Sequence, residues 1–257
     1  MTAPIFRGVG VALVTLFDDN GSLDAPATGV LAAKLVGLGV RAIVVAGTTG
    51  EAASLSLAER VELLAAVRSA LDPVPAVPVI AGTGAPSARQ AAELTRAAAD
   101  GGADAVLALS PPGAVDVRPY YDTVAGAAGE VPVLAYHFPA VSPPGIPVAV
   151  LGDLPVAGCK DSSGDADRLV ETLDSWGQPL YVGSSALLAL AGPLGAAGAI
   201  LALANAEPER CAAAFAGDAD AQLGLAGSHR EAARAFPKGI KTMTAARFGT
   251  SAVTRMG

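Results

Sequence analysis

Short apolar runs alternate with longer amphipathic stretches along the whole chain. Each run is rich in Val, Ile, Leu and Ala, and the stretch after it has helical periodicity. This alternation is typical of parallel strands joined by crossover helices. Eight runs are predicted to be strands: 11–16, 42–46, 78–81, 105–109, 133–136, 156–160, 180–182 and 198–201.

Eight such units predict a (βα)8 TIM barrel over residues 1–217, followed by a short helical tail over 218–257 that packs on the barrel as one structural unit. The tail has helical character over 221–236 and 238–248. Barrel helices are predicted at 27–38, 57–71, 87–100, 165–173 and 207–215, and three of them begin after a residue typical of helix caps: Ser56, Ser87 and Asp165.

An open, doubly wound sheet is the alternative fold. Such a sheet more typically has five or six strands and a glycine-rich phosphate turn after the first one. In this chain the first run leads into Phe17-Asp18-Asp19-Asn20-Gly21, which is an ordinary turn. The count of runs and this turn together favour the barrel.

Composition narrows the range of partners and locations. Hydrophobic residues make up 52% of the chain, yet every apolar run is broken well short of the roughly 20 residues that span a bilayer. The N-terminal residues have no features of a secretion signal, which predicts a cytoplasmic protein. The net charge of -7, without a run of Lys or Arg, argues against nucleic acid. Two cysteines and two histidines predict no metal site.

Lys160 ends the otherwise apolar sixth run and is the only one of the four lysines at a strand end. Alternation along the strand puts Gly158 and Lys160 on one face and Cys159 on the other. If the first face lines the barrel, the amine is desolvated above space left by Gly158 and is available to attack a carbonyl. The alternative is a surface lysine that turns outward to pair with Asp161.

A second strand end carries Gly47-Thr48-Thr49-Gly50-Glu51. Its glycines allow a sharp turn that brings backbone amides and both threonine hydroxyls toward one point, an arrangement suited to a carboxylate. The alternative is an ordinary glycine-rich turn.

Tyr136 ends the fifth strand, where its hydroxyl can act as a proton shuttle. The alternative for Tyr136 is a core aromatic side chain with a hydrogen-bonded hydroxyl. The neighbouring His137 alternates to the opposite face of the strand and is interpreted as structural.

In order and spacing, several motifs resemble those of the dihydrodipicolinate synthase and N-acetylneuraminate lyase family of class I aldolases. The resemblance runs from about residue 8 to residue 248. It implies a Schiff-base enzyme that acts on pyruvate, or another 2-oxo acid, and an aldehyde, without a metal or organic cofactor, and that assembles as a homo-oligomer, a dimer or tetramer. The motifs are Gly47-Thr48-Thr49-Gly50-Glu51, Gly82-Thr83-Gly84, Tyr136 with Pro139, and Gly158-Cys159-Lys160-Asp161.

The resemblance also implies roles for individual residues. Lys160 matches the family's Schiff-base lysine, and Tyr136 matches its proton-transferring tyrosine. Thr48 resembles the relay hydroxyl, and Thr49 resembles the ligand of the substrate carboxylate. Two further positions are expected to line the substrate site: Gly47, in the same turn, and Ile200, through its backbone carbonyl.

Two departures from the family pattern bear on the substrate. Synthases of this family have an arginine two residues after the proline of the tyrosine motif, where it holds the aldehyde carboxylate, and this chain has Val141 there. The two tyrosines that follow the synthases' fourth strand are also missing, and Tyr120 and Tyr121 come later. The stretch after Lys160 resembles members that cleave 4-hydroxy-2-oxoglutarate or 2-keto-3-deoxy sugar acids.

The first hypothesis is therefore a Schiff-base aldolase or lyase acting on a 4-hydroxy-2-oxo acid or a 2-keto-3-deoxy sugar acid. The second is a 4-hydroxy-tetrahydrodipicolinate synthase, which condenses pyruvate with aspartate semialdehyde. A third hypothesis, from another class, is a 2-oxo-acid-binding barrel without turnover. A flavin or phosphosugar barrel with a phosphate loop at 82–84 is weaker, because barrel phosphate sites usually follow strands seven and eight.

Overall fold

A closed barrel of eight parallel strands forms the centre of the computed structural model, which describes residues 2–72 and 77–256. Each strand pairs with the next one along the chain, and the eighth pairs with the first. The predicted (βα)8 barrel is confirmed. The strands are β1 (Gly8–Ala12), β2 (Ile43–Val45), β3 (Val79–Gly82), β4 (Ala105–Leu109), β5 (Val133–His137), β6 (Gly158–Asp161), β7 (Leu180–Val182) and β8 (Gly198–Leu201).

Ten α-helices connect or follow these strands in the described part of the chain, together with three short 3-10 helices (Ala52–Ser54, Val148–Asp153 and Leu203–Asn205). The α-helices are α1 (Ala25–Gly37), α2 (Leu57–Leu71), α3 (Ala88–Asp100), α4 (Arg118–Ala128), α5 (Ala166–Ser175), α6 (Leu188–Ala191), α7 (Pro208–Phe215), α8 (Ala219–Gly224), α9 (Ala226–Arg234) and α10 (Lys238–Phe248).

The three predicted caps are confirmed, and each satisfies backbone amides that a helix start leaves without a partner. Ser56 accepts from the Glu59 amide while the Glu59 carboxylate accepts from the Ser56 amide, so α2 begins with a capping box. Ser87 accepts from the Gln90 amide at the start of α3, and Asp165 accepts from two amides of α5.

Side chains of the strands point alternately outward, under the helices, and inward, to the barrel axis. We call the inward apolar set the inner cluster. Within it, Phe6 stacks on Tyr181 with 4.7 Å between ring centroids. Its buried members are Phe6, Ala12, Ala42, Val44, Ile80, Ala105, Leu107, Leu134, Tyr136, Tyr181, Ala197 and Ile200.

The largest differences between the predicted element bounds and the structure lie in two regions. The first strand was predicted at 11–16 but is Gly8–Ala12, and the Val14 amide bonds to the Asn205 side chain at 3.0 Å instead of to a neighbouring strand. In the tail, the single helix predicted over 221–236 is two helices, α8 and α9. The helical tail itself is confirmed, while Met1, residues 73–76 and Gly257 of the predicted ranges lie outside the described residues.

Candidate active site

Lys160 lies inside the mouth of the barrel, near the C-terminal end of β6. Its residue is 5% exposed, and the Nζ atom lies 4.3 Å from the centre of the Tyr136 ring. The Cα register places Lys160 between Tyr136 on β5 and Tyr181 on β7. The lysine is thus the one amine that the described chain presents to the inner face of the barrel, since Lys34, Lys238 and Lys241 lie on helices.

Asp161 does not pair with Lys160, so the alternative of an outward-turned surface lysine does not describe the structure. The Asp161 carboxylate binds Arg168 of α5 with 2.6 Å between Oδ2 and Nε, and it accepts from the amide and hydroxyl of Ser163. His137 lies beside this ion pair, and its Nδ1 accepts from the Ile146 amide at 2.8 Å. Burial, and secondly the charge of Arg168, lower the pKa of His137, which fits the structural role expected for it.

The Tyr136 hydroxyl lies within 3.5 Å of the Ser162 hydroxyl, which follows β6. Among the described residues, no hydrogen bond joins Tyr136 to Thr48. Ser162 packs so closely on Gly183, after β7, that a Cβ at position 183 would overlap its hydroxyl. The ends of β5, β6 and β7 thereby bring a second hydroxyl to the tyrosine.

Residues 47–51, here called the Thr-Thr turn, follow β2. The turn is closed by the Glu51 amide donating to the Thr48 carbonyl at 3.1 Å, and by the Thr15 hydroxyl donating to the Gly50 carbonyl at 2.7 Å. Thr49 is buried, whereas Gly47 and Thr48 are half-buried. Two residues here have left-handed backbone: Ala46, just before the turn, with φ 50°, and Glu51, its last residue, with φ 55°.

Two glycines singled out in the sequence are explained by close backbone packing. A Cβ on Gly82 would overlap the Ala46 carbonyl oxygen at the end of β2, so the residue lets β2 and β3 approach. The sequence suggested that Gly158 leaves open space below Lys160, and this prediction is wrong. A Cβ there would lie 2.7 Å from the Pro179 carbonyl oxygen and 3.0 Å from Leu134.

A cavity of about 620 Å³ lies beside the Thr-Thr turn, between the segments that follow β2 to β5 and the end of the chain. Thr48 and Leu109 line it, Leu109 also packs against the inner cluster, and the half-exposed Val141 lies at its rim. Val141, Leu57 and Met256 are each about half exposed there. The place at which the synthases have an arginine is thus part of an apolar rim.

Ile200 is fully buried on the inner face of β8, in the inner cluster with Tyr136. Cys159 points to the opposite side of β6, where burial raises the pKa of its thiol above the ordinary value.

Over residues 2–72 and 77–256, no group of three or more His, Cys, Asp or Glu is placed to hold a metal ion. Nor is any helix in those ranges long and apolar enough to cross a membrane.

The Dihydrodipicolinate synthetase family model matches residues 5–255, nearly the whole chain. The chain belongs to this family. Membership confirms the resemblance drawn from the motifs and makes the chain a lyase of the class I aldolase type. Enzymes of the family work through a covalent lysine imine with the oxo acid and use no separate cofactor.

Similar proteins within the family include synthases and an uncharacterised lyase. A 4-hydroxy-tetrahydrodipicolinate synthase of Natronomonas pharaonis is 36% identical over 224 residues, covering 83% of this chain and 75% of that protein. An uncharacterised DapA-like lyase of Halobacterium salinarum is 38% identical, covering 79% and 69%. The structure of the chloride-inhibited dihydrodipicolinate synthase of Acinetobacter baumannii with pyruvate aligns at a TM-score of 0.83 and 27% identity, covering 98% and 95%.

Sequence reasoning did not find Ser162, the Asp161–Arg168 ion pair or the burial of Glu51. Ser162 had a visible signal, because alternation from Lys160 places the second residue after it on the same face. The Arg168 partner of Asp161 and the Lys241, Arg255 and Met256 partners of Glu51 had none, since they belong to other segments of the chain. The tyrosines Tyr120 and Tyr121 are both buried at the start of α4, and their hydroxyls are hydrogen-bonded within the chain.

Proposed function

We propose that this family member is a Schiff-base aldolase in which Lys160 captures the C2 carbonyl of pyruvate or of a pyruvate-bearing oxo acid. The single observation that carries the proposal is the position of Lys160: a buried amine at the barrel mouth, 4.3 Å from the ring centre of Tyr136. Barrel enzymes place their reacting groups at this end of the strands.

The chemistry follows from the amine and the neighbouring hydroxyl. The neutral lysine adds to C2, and loss of water gives an iminium that withdraws electrons from C3. Tyr136 then removes the proton of a C4 hydroxyl, the C3–C4 bond breaks, and an aldehyde leaves an enamine on the lysine. Protonation of the enamine at C3 and hydrolysis of the imine release pyruvate and restore Lys160. Condensation is the same sequence in reverse.

The Thr-Thr turn is proposed to hold the carboxylate of the oxo acid. Thr49 offers its hydroxyl and amide, Gly47 offers backbone without steric obstruction, and Thr48 contributes a relay hydroxyl for Tyr136. Ile200 is proposed to present its backbone carbonyl to the imine from β8. The 3.5 Å contact with Ser162 supports a second hydroxyl in the proton path of Tyr136.

The proposed substrate is a 4-hydroxy-2-oxo acid or a 2-keto-3-deoxy sugar acid. Ser162 follows β6 and packs on Gly183, and Ser184 follows β7 and lies near Gly164, so both hydroxyls are at the ends of these strands. Such hydroxyls suit a substrate that carries hydroxyl groups beyond C3. Val141 offers no charge to a carboxylate on the aldehyde, which disfavours a synthase.

A 4-hydroxy-tetrahydrodipicolinate synthase is the second candidate, and the names of the curated relatives favour it. Formation of dihydrodipicolinate from pyruvate and aspartate semialdehyde distinguishes the two. A rate that matches or exceeds the cleavage of 4-hydroxy-2-oxo acids would replace the first candidate with the second.

A homo-oligomer, dimer or tetramer, and a cytoplasmic location are also proposed. Self-association is supported by the homo-oligomeric assembly that the resemblance to the family implies. Analytical ultracentrifugation tests the assembly, and a monomer at micromolar concentration would contradict it.

The deciding experiment is mass spectrometry of the intact protein after borohydride reduction with and without pyruvate. The wild type is expected to gain the mass of one reduced pyruvate, and Lys160→Ala is expected to gain none. Lys34→Ala, which removes an exposed lysine of α1, is the matched control and should behave like the wild type. A wild type without an adduct would rule out the Schiff-base mechanism.

A further inference from the structure

The last residues of the described chain return to the mouth of the barrel. After α10, residues 250–256, here called the C-terminal strap, run to the Thr-Thr turn. The backbone amides of Arg255 and Met256 donate to Oε2 of Glu51 at 2.7 and 2.9 Å. The strap therefore meets the proposed carboxylate-binding turn through a single side chain.

Glu51 is completely buried at this junction. Its other oxygen, Oε1, forms an ion pair with Nζ of Lys241 at 2.5 Å, and that lysine is also fully buried. Lys241 in turn donates to the Val253 carbonyl of the strap at 2.7 Å. A buried charge without partners is costly. The Glu51 carboxylate therefore keeps its contacts with Lys241 of α10 and with the strap, and these contacts fix the position of the strap relative to α10.

The Arg255 side chain fixes the strap on three further segments. Its guanidinium donates to the Gly21 carbonyl at 2.6 Å, to the Ser54 carbonyl at 3.1 Å and to Glu59 at 2.6 Å. It also lies 4.3 Å from the centre of the Phe17 ring. The hydrogen bond to Arg255 is the largest cause of the lowered pKa of Glu59, which falls to about 2.

Glu51 lies only two residues after Thr49 and closes the turn by donating its amide to the Thr48 carbonyl. Glu51 is therefore joined to Thr48 by this hydrogen bond and to Thr49 through one intervening residue. Met256 and Thr48 also line the same cavity. A displacement of about 1 Å at a substrate-binding group is enough to cost a large factor in catalysis.

We propose that Glu51 and Arg255 are positioning residues for capture of the oxo acid: the C-terminal strap holds the Thr-Thr turn where Thr49 meets the substrate carboxylate. This inference rests on the proposed function of the turn and of Lys160. It assigns the C-terminal strap a part in substrate affinity, although no strap residue touches the reacting atoms.

The test compares Arg255→Ala with Arg247→Ala in the full chain. Arg247 is a matched control, since it also belongs to the C-terminal region, donates to a backbone carbonyl and a glutamate, and lies 4.9 Å from an aromatic ring, but it does not contact the turn. The measurement is the pyruvate concentration that gives half-maximal borohydride-trapped adduct, together with KM and kcat for the cleaved oxo acid.

Arg255→Ala is expected to raise the half-saturating pyruvate concentration and KM by about tenfold, with a smaller change in kcat. Arg247→Ala should stay close to the wild type. This split identifies positioning, because a merely less stable protein loses adduct amplitude and kcat without a change in half-saturation. If Arg255→Ala is folded and binds pyruvate as the wild type does, the proposal is wrong.

Glu59→Gln decides the matter if Arg255→Ala does not fold. Glutamine preserves the capping box of α2 but removes the charge that binds Arg255. We expect about a threefold increase in half-saturating pyruvate, because a charge-assisted hydrogen bond becomes a neutral one. An unchanged value in folded Glu59→Gln would overturn the proposal. A wild type that forms no adduct would instead refute the proposed function.

Discussion

Lys160 and Tyr136 are register partners on neighbouring strands, and the lysine Nζ lies 4.3 Å from the centre of the tyrosine ring. The face of the Tyr136 ring thus packs against the Lys160 amine, while the Tyr136 hydroxyl extends toward Ser162. One side chain contributes both an aromatic wall to the lysine and a hydroxyl to the reaction. The two contributions can be separated by experiment.

Tyr136→Phe keeps the ring and removes the hydroxyl, so it is expected to lower kcat by about 100-fold or more while the pyruvate adduct on Lys160 still forms. Steady-state kinetics and borohydride trapping measure the two effects. Tyr181→Phe is the control, because Tyr181 is the other register neighbour of Lys160 but directs its hydroxyl to the Phe6 carbonyl. Equal losses in both variants would contradict a proton-transfer role for Tyr136.

Val141→Arg is expected to increase kcat/KM for aspartate semialdehyde by about tenfold, because it adds a cation at the cavity rim for the aldehyde carboxylate. The rate of dihydrodipicolinate formation measures the change. Val141→Met is the control for side-chain size, and it should give no gain. If both variants improve equally, charge at this position does not select the aldehyde.

Lys241→Met is expected to reduce the free energy of unfolding by about 3–5 kcal/mol, because it leaves the Glu51 carboxylate buried without its cation. Urea denaturation with an unchanged m-value measures the loss. The double variant Glu51→Gln with Lys241→Met should recover much of it, since both charges are then gone. A double variant less stable than Lys241→Met would show that the ion pair is not the cause.

Acidification is expected to destabilise the protein partly through His137. Its pKa is lowered in the folded state, so below about pH 6.5 the unfolded chain takes up a proton that the folded chain does not. Stability from this residue is present near pH 7 and is lost as the pH falls toward 5. His137→Asn retains an acceptor for the Ile146 amide and should show a flatter dependence between pH 7 and 5.5. Identical slopes would exclude His137 as the source.

The sequence predicted the barrel because the period of apolar runs reports burial directly. It placed Lys160 correctly on the inner face for the same reason, since alternation is a local property of a strand. The first strand was placed too late because Leu13, Leu16 and Phe17 are as buried as strand residues, although they lie in a loop. Apolar character reports burial and does not identify the backbone partner.

Contacts between distant segments were beyond this reasoning. The Glu51 carboxylate binds an amide 204 residues away, and no local pattern in the sequence joins the two positions. The contact between Tyr136 and Ser162 depends on how closely the ends of β5, β6 and β7 approach, which is set by glycines such as Gly183. Such details require the packed structure.

The pairing of β1 with β8 has a consequence for the synthesis of the chain. Gly8 leaves the ribosome well before its partner Gly198, because the segments that form the other strands are translated between them. Until then the growing sheet has two unpaired edges, which are prone to pair with other chains. Asn205, which bonds to both Val14 and Ala12, emerges later still. The barrel around Lys160 is therefore closed only after β8 and Asn205 have been translated.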